Sequence, residues 1–167
     1  MYILKSKHFW RLPVYIFFLT LLLGNFYFNL LSILGIAVVL FGLYLHLRSR
    51  KELGKFCTSV PTIFKNHKLI TTGPYSFVRH PAYLASFIVM TGFILISKSF
   101  VSLIFAFVIA MPFGFYKISI EERMLQEKFG KKFEKYKKGV PLIIPKIYWL
   151  LKSASKILSN SLAVSFE

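Results

Sequence analysis

The spacing of apolar and polar positions divides the chain into four long apolar stretches. These cover residues 12–28, 30–47, 81–97 and 100–120, and Lys117 is the only Lys, Arg, Asp or Glu within them. Each stretch is close to the ~20 residues that a helix needs to cross ~30 Å of hydrocarbon. Spans of this kind are helical because lipid offers the backbone no other hydrogen-bond partner. The pattern therefore predicts an all-α membrane protein with about four transmembrane helices.

Short polar breaks group the stretches into two helical hairpins. The first hairpin turns from Gly24 to Asn29, and the second turns at Lys98 and Ser99, so that its helices must be antiparallel neighbours. Basic residues precede the first stretch, as in a signal peptide, but no small-residue cleavage site follows it. We therefore expect a span there, and a single membrane domain in which a loop that includes residues 60–80 joins the hairpins.

A charged, amphipathic helix is predicted after the fourth stretch, over residues 117–138. At about 100° per residue, its apolar side chains form one stripe that begins at Ile118. Glu121 and Glu122 flank this stripe and face whatever it covers, whereas Glu127 lies on the opposite, solvated side. A simpler interpretation is that the two flanking carboxylates only neutralise the basic loop.

The placement of basic residues decides what the high positive charge means. The chain carries 22 Lys and Arg, for a formal net charge of +16, which could suggest nucleic acid. However, 21 of the 22 lie before the first stretch, between the second and third, or from Lys117 onward, including a basic tail over residues 146–167. This positive-inside pattern predicts that both termini are cytoplasmic. Attraction to anionic membrane lipids accounts for the charge without nucleic acid.

The least common residue combination lies between residues 67 and 83. A Gly-Pro turn precedes the sequence Arg-His-Pro, whose proline suits the first turn of the third apolar helix. Tyr75, Arg79, His80 and Tyr83 thus gather at a helix N-terminus, where free N–H groups suit a carboxylate or phosphate. An interfacial belt of aromatic and basic residues would explain this composition but not its order.

Two sequence blocks, taken together, resemble a known family. The first reads G-P-Y-x-x-V-R-H-P-x-Y, and the second reads E-E-x-x-L-x-x-x-F-G-x-x-F-x-x-Y-x-x-x-V-P-x-x-I-P. In this order they resemble isoprenylcysteine carboxyl methyltransferases and their phospholipid N-methyltransferase relatives, over residues 67–145. The resemblance implies transfer of a methyl group from S-adenosylmethionine to a lipophilic or prenylated acceptor at the cytoplasmic membrane face.

The same resemblance implies which residues contact the cofactor. They are His67, Lys68, Leu69, Ile70, Tyr75, His80, Pro81, Ala82, Tyr83 and Glu121. The chemistry of S-adenosylmethionine agrees with this set. His80 and the helix N-terminus can bind its carboxylate, and Glu121 can bind its ammonium. A tyrosine face suits its sulfonium, and Leu69 with Ile70 suits its adenine.

Three residues are expected at the reacting end of the site. Lys117 stands one helical turn before Glu121, where the eukaryotic relatives hold an arginine that contacts the substrate carboxylate. Lysine keeps that charge but loses the bidentate fork. A carboxylate acceptor is already ionised and needs no base, whereas an amine would need one, for which Glu122 is the candidate. Arg79, beside His80, completes the set.

Two other functions fit parts of the sequence. Membrane sterol or enone reductases that use NADPH share an Arg-His-Pro-x-Tyr block, but they typically carry Asn and Glu where Ala82 and Ser86 stand. The alternative of a membrane-anchored interaction protein would be supported only by the basic tail. Cys57 is the single cysteine, so neither an intramolecular disulfide nor a thiolate metal site is expected.

Overall fold

The computed structural model describes residues 7–58, 60–62, 66 and 68–144, and every regular element in this part of the chain is helical. His67 and the basic tail over residues 146–167 lie outside it. The helices are α1 (Lys7–Leu21), α2 (Leu30–Leu53), α3 (Pro81–Ser97), α4 (Phe100–Phe129) and α5 (Lys131–Gly139). Two 3-10 turns, Gly54–Phe56 and Gly73–Ser76, lie between α2 and α3. The all-α prediction is confirmed.

Two helical segments in the described part are long and apolar enough to cross a membrane, Leu30–Phe56 and Phe100–Phe129. The α3 helix is apolar but shorter. Large apolar side chains project outward from several helices, with exposed fractions of 65% for Leu19, 62% for Leu40 and 62% for Phe107. An apolar exterior of this extent marks a surface that contacts lipid or another apolar partner.

Glycines allow α2 and α3 to form the most extensive helix interface of the described chain. A Cβ on Gly35 would lie 2.8 Å from the Gly92 carbonyl oxygen, and a Cβ on Gly92 would lie 2.6 Å from the Val39 side chain. Small residues at helix interfaces permit this close approach of backbones in membrane proteins. The interface between α2 and α3 holds the N-terminus of α3 against the C-terminal half of α2.

The α1 helix packs against α4. Phe17 and Leu21 form a buried cluster with Phe105. Near the turn between α3 and α4, the Ser99 hydroxyl donates to the Thr20 carbonyl at 3.0 Å. These contacts fix the C-terminal end of α1, so its N-terminal end lies about 20 Å away, toward the opposite end of the bundle.

The α4 helix contains a π-helical segment at Ala106–Ala110, which is followed by Met111 and then Pro112. Proline has no N–H, so it cannot donate to the carbonyl of Val108, four residues earlier. A single π turn is a common way for a helix to absorb such a break in its ladder of hydrogen bonds. The helix thereby continues without ending at the proline.

The first helix ends earlier than the apolar pattern indicates. The apolar stretch runs to residue 28, whereas α1 ends at Leu21. The chain turns here because Gly24 lies so close to the Ser97 backbone that a Cβ would collide with it. Asn29 then caps α2, since its side chain accepts a hydrogen bond from the Ser32 N–H at 3.1 Å.

The charged helix expected over residues 117–138 is two helices in the structure. Gly130 has a φ of +50° and separates α4 from α5. With a ψ of −123°, this positive-φ conformation is accessible to glycine without steric cost, whereas other residues rarely adopt it. The break lets α5 fold back toward the N-terminus of α3 and cover the site described next.

Candidate active site

A cavity of about 400 Å³ lies at the N-terminus of α3 and is lined by side chains from all five helices. This volume falls in the range of small-molecule sites. Among its described lining residues, Glu121 is the single carboxylate, and the cations are Arg11, Arg50, Lys68, Arg79 and Lys117. The cavity is therefore suited to a ligand that carries negative charge.

One polar wall of the cavity is the start of α3. His80 precedes the helix, and Pro81 occupies the first position, where a missing N–H is no loss. The His80 side chain is buried, and its Nε2 has no hydrogen-bond partner among the described residues. Its Nε2 lies 3.4 Å from Glu122 Oε1 and its Nδ1 lies 3.8 Å from Glu121 Oε2, so the ring stands between two carboxylates. The N–H groups of Tyr83 and Leu84 both donate to the His80 carbonyl, so it is the positive end of the helix dipole that suits an anionic ligand group here.

Glu121 and Tyr83 meet in the cavity from two helices. The Tyr83 hydroxyl donates to Glu121 Oε1 at 2.5 Å and thereby joins α3 to α4. The Glu121 side chain keeps 26% of its surface exposed, so a ligand can still reach its carboxylate. Tyr75, in the 3-10 turn before α3, is buried, and burial together with the nearby Glu121 charge raises the pKa of its phenol. Tyr75 therefore remains neutral.

The Arg79 side chain connects α3 to α4 and to the segment after α5. Its Nε donates to Glu122 Oε1 at 2.7 Å, and its Nη1 donates to the Val140 carbonyl at 2.6 Å and to the Lys137 carbonyl at 3.3 Å. The side chains of Arg79 and Glu122 are only 10% and 15% exposed. On the other carboxylate oxygen, Glu122 Oε2 lies 3.6 Å from Lys137 Nζ. The guanidinium is thus largely occupied by bonds within the protein.

Backbone bonds reinforce this connection. The N–H of Arg79 donates to the Pro141 carbonyl at 2.8 Å, and the N–H of His80 donates to the Leu142 carbonyl at 3.1 Å. We refer to residues 140–142 as the strap. Because it follows α5 directly, the strap holds that helix over the cavity.

The α5 helix covers the cavity with two aromatic side chains. Phe133 is fully buried, and the Tyr136 hydroxyl donates to the Tyr75 carbonyl at 2.6 Å. Burial raises the pKa of the Tyr136 phenol, which keeps it a neutral donor in this bond. The cover therefore consists of aromatic side chains that carry no charge.

Lys117 lies at the other end of the cavity, near α1. Its Nζ is 5.5 Å from the centroid of the Tyr83 ring and 5.6 Å from that of the Trp10 ring. Both distances are within the ~6 Å range of cation–π attraction. The ammonium is therefore adjacent to aromatic faces from α1 and α3.

The structure brings most of the expected site residues to this one cavity. Its lining includes Lys68, Leu69, Ile70, Tyr75, Arg79, His80, Ala82, Tyr83, Lys117 and Glu121. Pro81 is buried and does not line the cavity, and His67 lies outside the described residues. Glu122 does not line the cavity but faces a more open groove with Ser119 and Arg123.

Sequence reasoning missed the contributions of α1, α2 and α5 to the lining. His46 and Arg50 line the cavity from α2, and their spacing of four residues, which puts both on one helix face, could have revealed them. Trp10 gave no comparable signal, because an aromatic residue near the start of a span is typical of any membrane interface. Tyr136 lies in the charged helix that the sequence predicts, but its partner in the 3-10 turn could not be inferred.

Comparison with known proteins establishes the class to which the chain belongs. Residues 30–132, more than half of the sequence, match the phospholipid methyltransferase family. The chain therefore belongs to this family.

Its relatives include enzymes of the type that the two sequence blocks resemble. A protein-S-isoprenylcysteine O-methyltransferase of Schizosaccharomyces pombe is 31% identical over 125 residues, which cover 74% of this chain and 53% of that protein. The Saccharomyces cerevisiae protein of the same name is 31% identical over 119 residues, which cover 70% of this chain and 50% of that protein. Protein-S-isoprenylcysteine O-methyltransferase B of Arabidopsis thaliana is 28% identical over 117 residues, which cover 69% of this chain and 59% of that protein. The chain thus spans about half the length of these relatives, and the resemblance is confirmed.

Proposed function

We propose that the protein transfers a methyl group from S-adenosylmethionine to a lipophilic, anionic acceptor, either an isoprenylcysteine-like carboxylate or another acidic lipid. The observation that carries the proposal is one cavity that contains the α3 N-terminus at His80, the Tyr83 and Glu121 pair, and Lys117. Membership of the phospholipid methyltransferase family supports methyl transfer. The relatives named as isoprenylcysteine O-methyltransferases support a lipophilic acceptor.

The residues of the cavity fit S-adenosylmethionine group by group. The α3 N-terminus at His80 suits the carboxylate, and the accessible surface of Glu121 suits the ammonium. The ring of Tyr83 suits the sulfonium, while Leu69 and Ile70 offer apolar surface to the adenine. When bound, the cofactor supplies an electrophilic methyl group on sulfur.

The contribution of the chain to the reaction is binding, orientation and exclusion of water. Lys117 binds the anionic group of the acceptor, and α5 covers the cavity with Phe133 and Tyr136. A carboxylate acceptor is ionised at neutral pH and requires no base. Glu122 is paired with Arg79 outside the cavity, so we assign it a positioning role rather than that of a base for an amine.

The alternative of an NADPH-dependent membrane reductase has less support. The positions where such enzymes typically carry Asn and Glu are Ala82 and Ser86, and both line the cavity. Neither provides the amide or the carboxylate. Together with the family match, this favours methyl transfer.

Incubation of the purified protein with methyl-labelled S-adenosylmethionine and a total lipid extract tests the proposed function. We expect a labelled lipid product that releases labelled methanol in base, as a methyl ester does. An extract in which all lipid species remain unlabelled, although the protein binds S-adenosylhomocysteine, would contradict the proposal. Oxidation of NADPH by the same preparation would favour the reductase.

We also propose that α1 to α4 all cross the membrane as two hairpins, with both termini and the cavity on the cytoplasmic side. The distribution of Lys and Arg supports this orientation. On the opposite side, Lys98 Nζ donates to the Tyr27 carbonyl at 2.7 Å and lies 4.0 Å from the Tyr27 ring. Topology reporters fused at Asn25 and Lys98 should therefore lie outside, and those at Lys65 and the C-terminus inside. An outside signal at Lys65 would contradict the orientation.

Substitution of Lys117 should separate acceptor binding from cofactor binding. In Lys117→Ala we expect kcat/KM for the acceptor to fall about tenfold, as for loss of one charged hydrogen bond, while the affinity for S-adenosylhomocysteine changes little. Lys117→Arg keeps the charge and gains a guanidinium that can donate two parallel hydrogen bonds, so it should retain activity on a carboxylate. If Lys117 only anchors the span in the interface, both variants will turn over the acceptor within a few-fold of the wild type.

A further inference from the structure

Trp10 lines the cavity, although the proposed function assigns it no role. It belongs to α1, which lies outside the residues that match the family. Its side chain is 6% exposed, and its ring contributes to the wall near Lys117. One wall of the cavity therefore comes from a helix outside the region that matches the family.

Packing fixes the Trp10 indole in place. Its ring centroid lies 5.4 Å from that of Phe113 and 6.4 Å from that of Tyr116, with the second pair nearly parallel. Both partners belong to α4, the helix that carries Lys117. Aromatic pairs at these separations are attractive and have preferred geometries, so the indole is held at a defined position relative to α4.

The second ring near the ammonium is also fixed. Tyr83 is held through its hydroxyl by Glu121 at 2.5 Å, and its ring centroid lies 5.5 Å from Lys117 Nζ. A lysine side chain is flexible and strongly hydrated when nothing confines it. Two ring faces within cation–π range confine the ammonium and replace part of its water. An anion that enters the cavity then meets a partly desolvated cation at a fixed point, which strengthens their attraction.

We propose that Trp10 is a positioning residue that holds the Lys117 ammonium toward the anionic group of the acceptor, and that α1 thereby sets the preference for a charged over a neutral lipid. This inference rests on the proposed function, since it takes Lys117 as the acceptor contact. It assigns a role in specificity to α1, beyond its packing against α4.

The test compares binding of an S-prenylated cysteine that has a free carboxylate with binding of its methyl ester, by calorimetry in detergent micelles. The wild type should prefer the carboxylate. Trp10→Leu should reduce this preference about threefold to thirtyfold, the range expected for loss of a cation–π contact. Trp10→Phe, which keeps a ring face, should retain most of it. Affinity for S-adenosylhomocysteine should stay within about twofold in every variant, as expected if Trp10 acts only through Lys117.

Phe9→Leu is the matched control. The Phe9 ring packs on the Trp10 ring at 5.3 Å and on the Phe113 ring at 5.6 Å, but it does not line the cavity. An equal loss of preference in Phe9→Leu would show that general packing of α1 matters, and would overturn the inference. So would equal losses for carboxylate and ester in Trp10→Leu, or a wild type without preference.

A second comparison tests the route through Lys117. In a Lys117→Ala background, Trp10→Leu should have no further effect on the preference, whereas additive effects would overturn the inference. A wild type that prefers the carboxylate but transfers no methyl group would leave the role of Trp10 intact and contradict the proposed reaction. The two failures are therefore distinguishable.

Discussion

Glu121→Ala should weaken the binding of S-adenosylhomocysteine by about 1 to 3 kcal/mol, or roughly fivefold to 150-fold. The variant loses the carboxylate proposed to bind the ammonium of the ligand. It also leaves the Tyr83 hydroxyl without the acceptor that fixes it at 2.5 Å. Since both losses affect the cofactor end of the cavity, methyl transfer should fall by at least the same factor. Calorimetry and turnover measurements on the same preparation check the two effects.

Three variants separate the two possible causes of weaker binding in Glu121→Ala, which are the lost charge and the lost acceptor for Tyr83. Glu121→Gln keeps a side-chain acceptor for Tyr83 but loses the charge, so it should bind the ligand weakly although the tyrosine stays in place. Tyr83→Phe keeps the charge and should bind nearly normally. Glu127→Ala removes an exposed carboxylate from the same helix and should change nothing. Equal weakening in Glu121→Ala and Glu127→Ala would reject Glu121 as a cofactor contact.

Arg79→Ala should release the strap and the helix that it holds. The substitution removes the bonds to Glu122, to Val140 and to Lys137, and it leaves a largely buried carboxylate with a weaker set of partners. Removal of one member of a mostly buried pair costs about 3 kcal/mol. Hydrogen exchange should show this loss as reduced protection of residues 131–142. The affinity for S-adenosylhomocysteine should fall as well, because the cover over the cavity opens.

Arg79→Lys should be almost as damaging, since one ammonium cannot reproduce the two nitrogens that bond in different directions. The control is Arg123→Ala, an exposed arginine on α4 next to Glu122. Its protection pattern should match the wild type. If Arg79→Ala instead abolishes turnover while residues 131–142 stay protected, Arg79 contacts the reacting groups directly and its positioning role is wrong.

Local patterns in the sequence were sufficient to predict the helices and the main elements of the cavity. Apolar stretches of span length predicted helices, and the order Arg-His-Pro predicted a helix N-terminus at His80. The phase of Glu121 on α4 placed it beside an apolar stripe, and its side chain lines the cavity. These features depend on residues within a few turns of one another, so periodicity and turn chemistry are enough to find them.

Other features depend on contacts between distant segments and could not be predicted in this way. The sequence placed Glu122 with Glu121 on one face, but its ion pair with Arg79 turns it away from the cavity. The sequence predicts a continuous helix through Gly130, because a single glycine is tolerated within a helix. The reason that α4 ends before Gly130 is seen only in the structure, where α5 returns toward Tyr75.

The strap has a consequence for the order in which the protein matures during synthesis. The cavity wall at Arg79 and His80 is paired with Pro141 and Leu142, about sixty positions later in the chain. Hairpins form early because their contacts are local, whereas this closure must wait until the last of these residues has left the ribosome. If α1 to α4 cross the membrane as proposed, they are inserted before the cavity is complete. Until that moment Phe133 and Tyr75, which are both buried in the folded chain, lack the contacts that cover them.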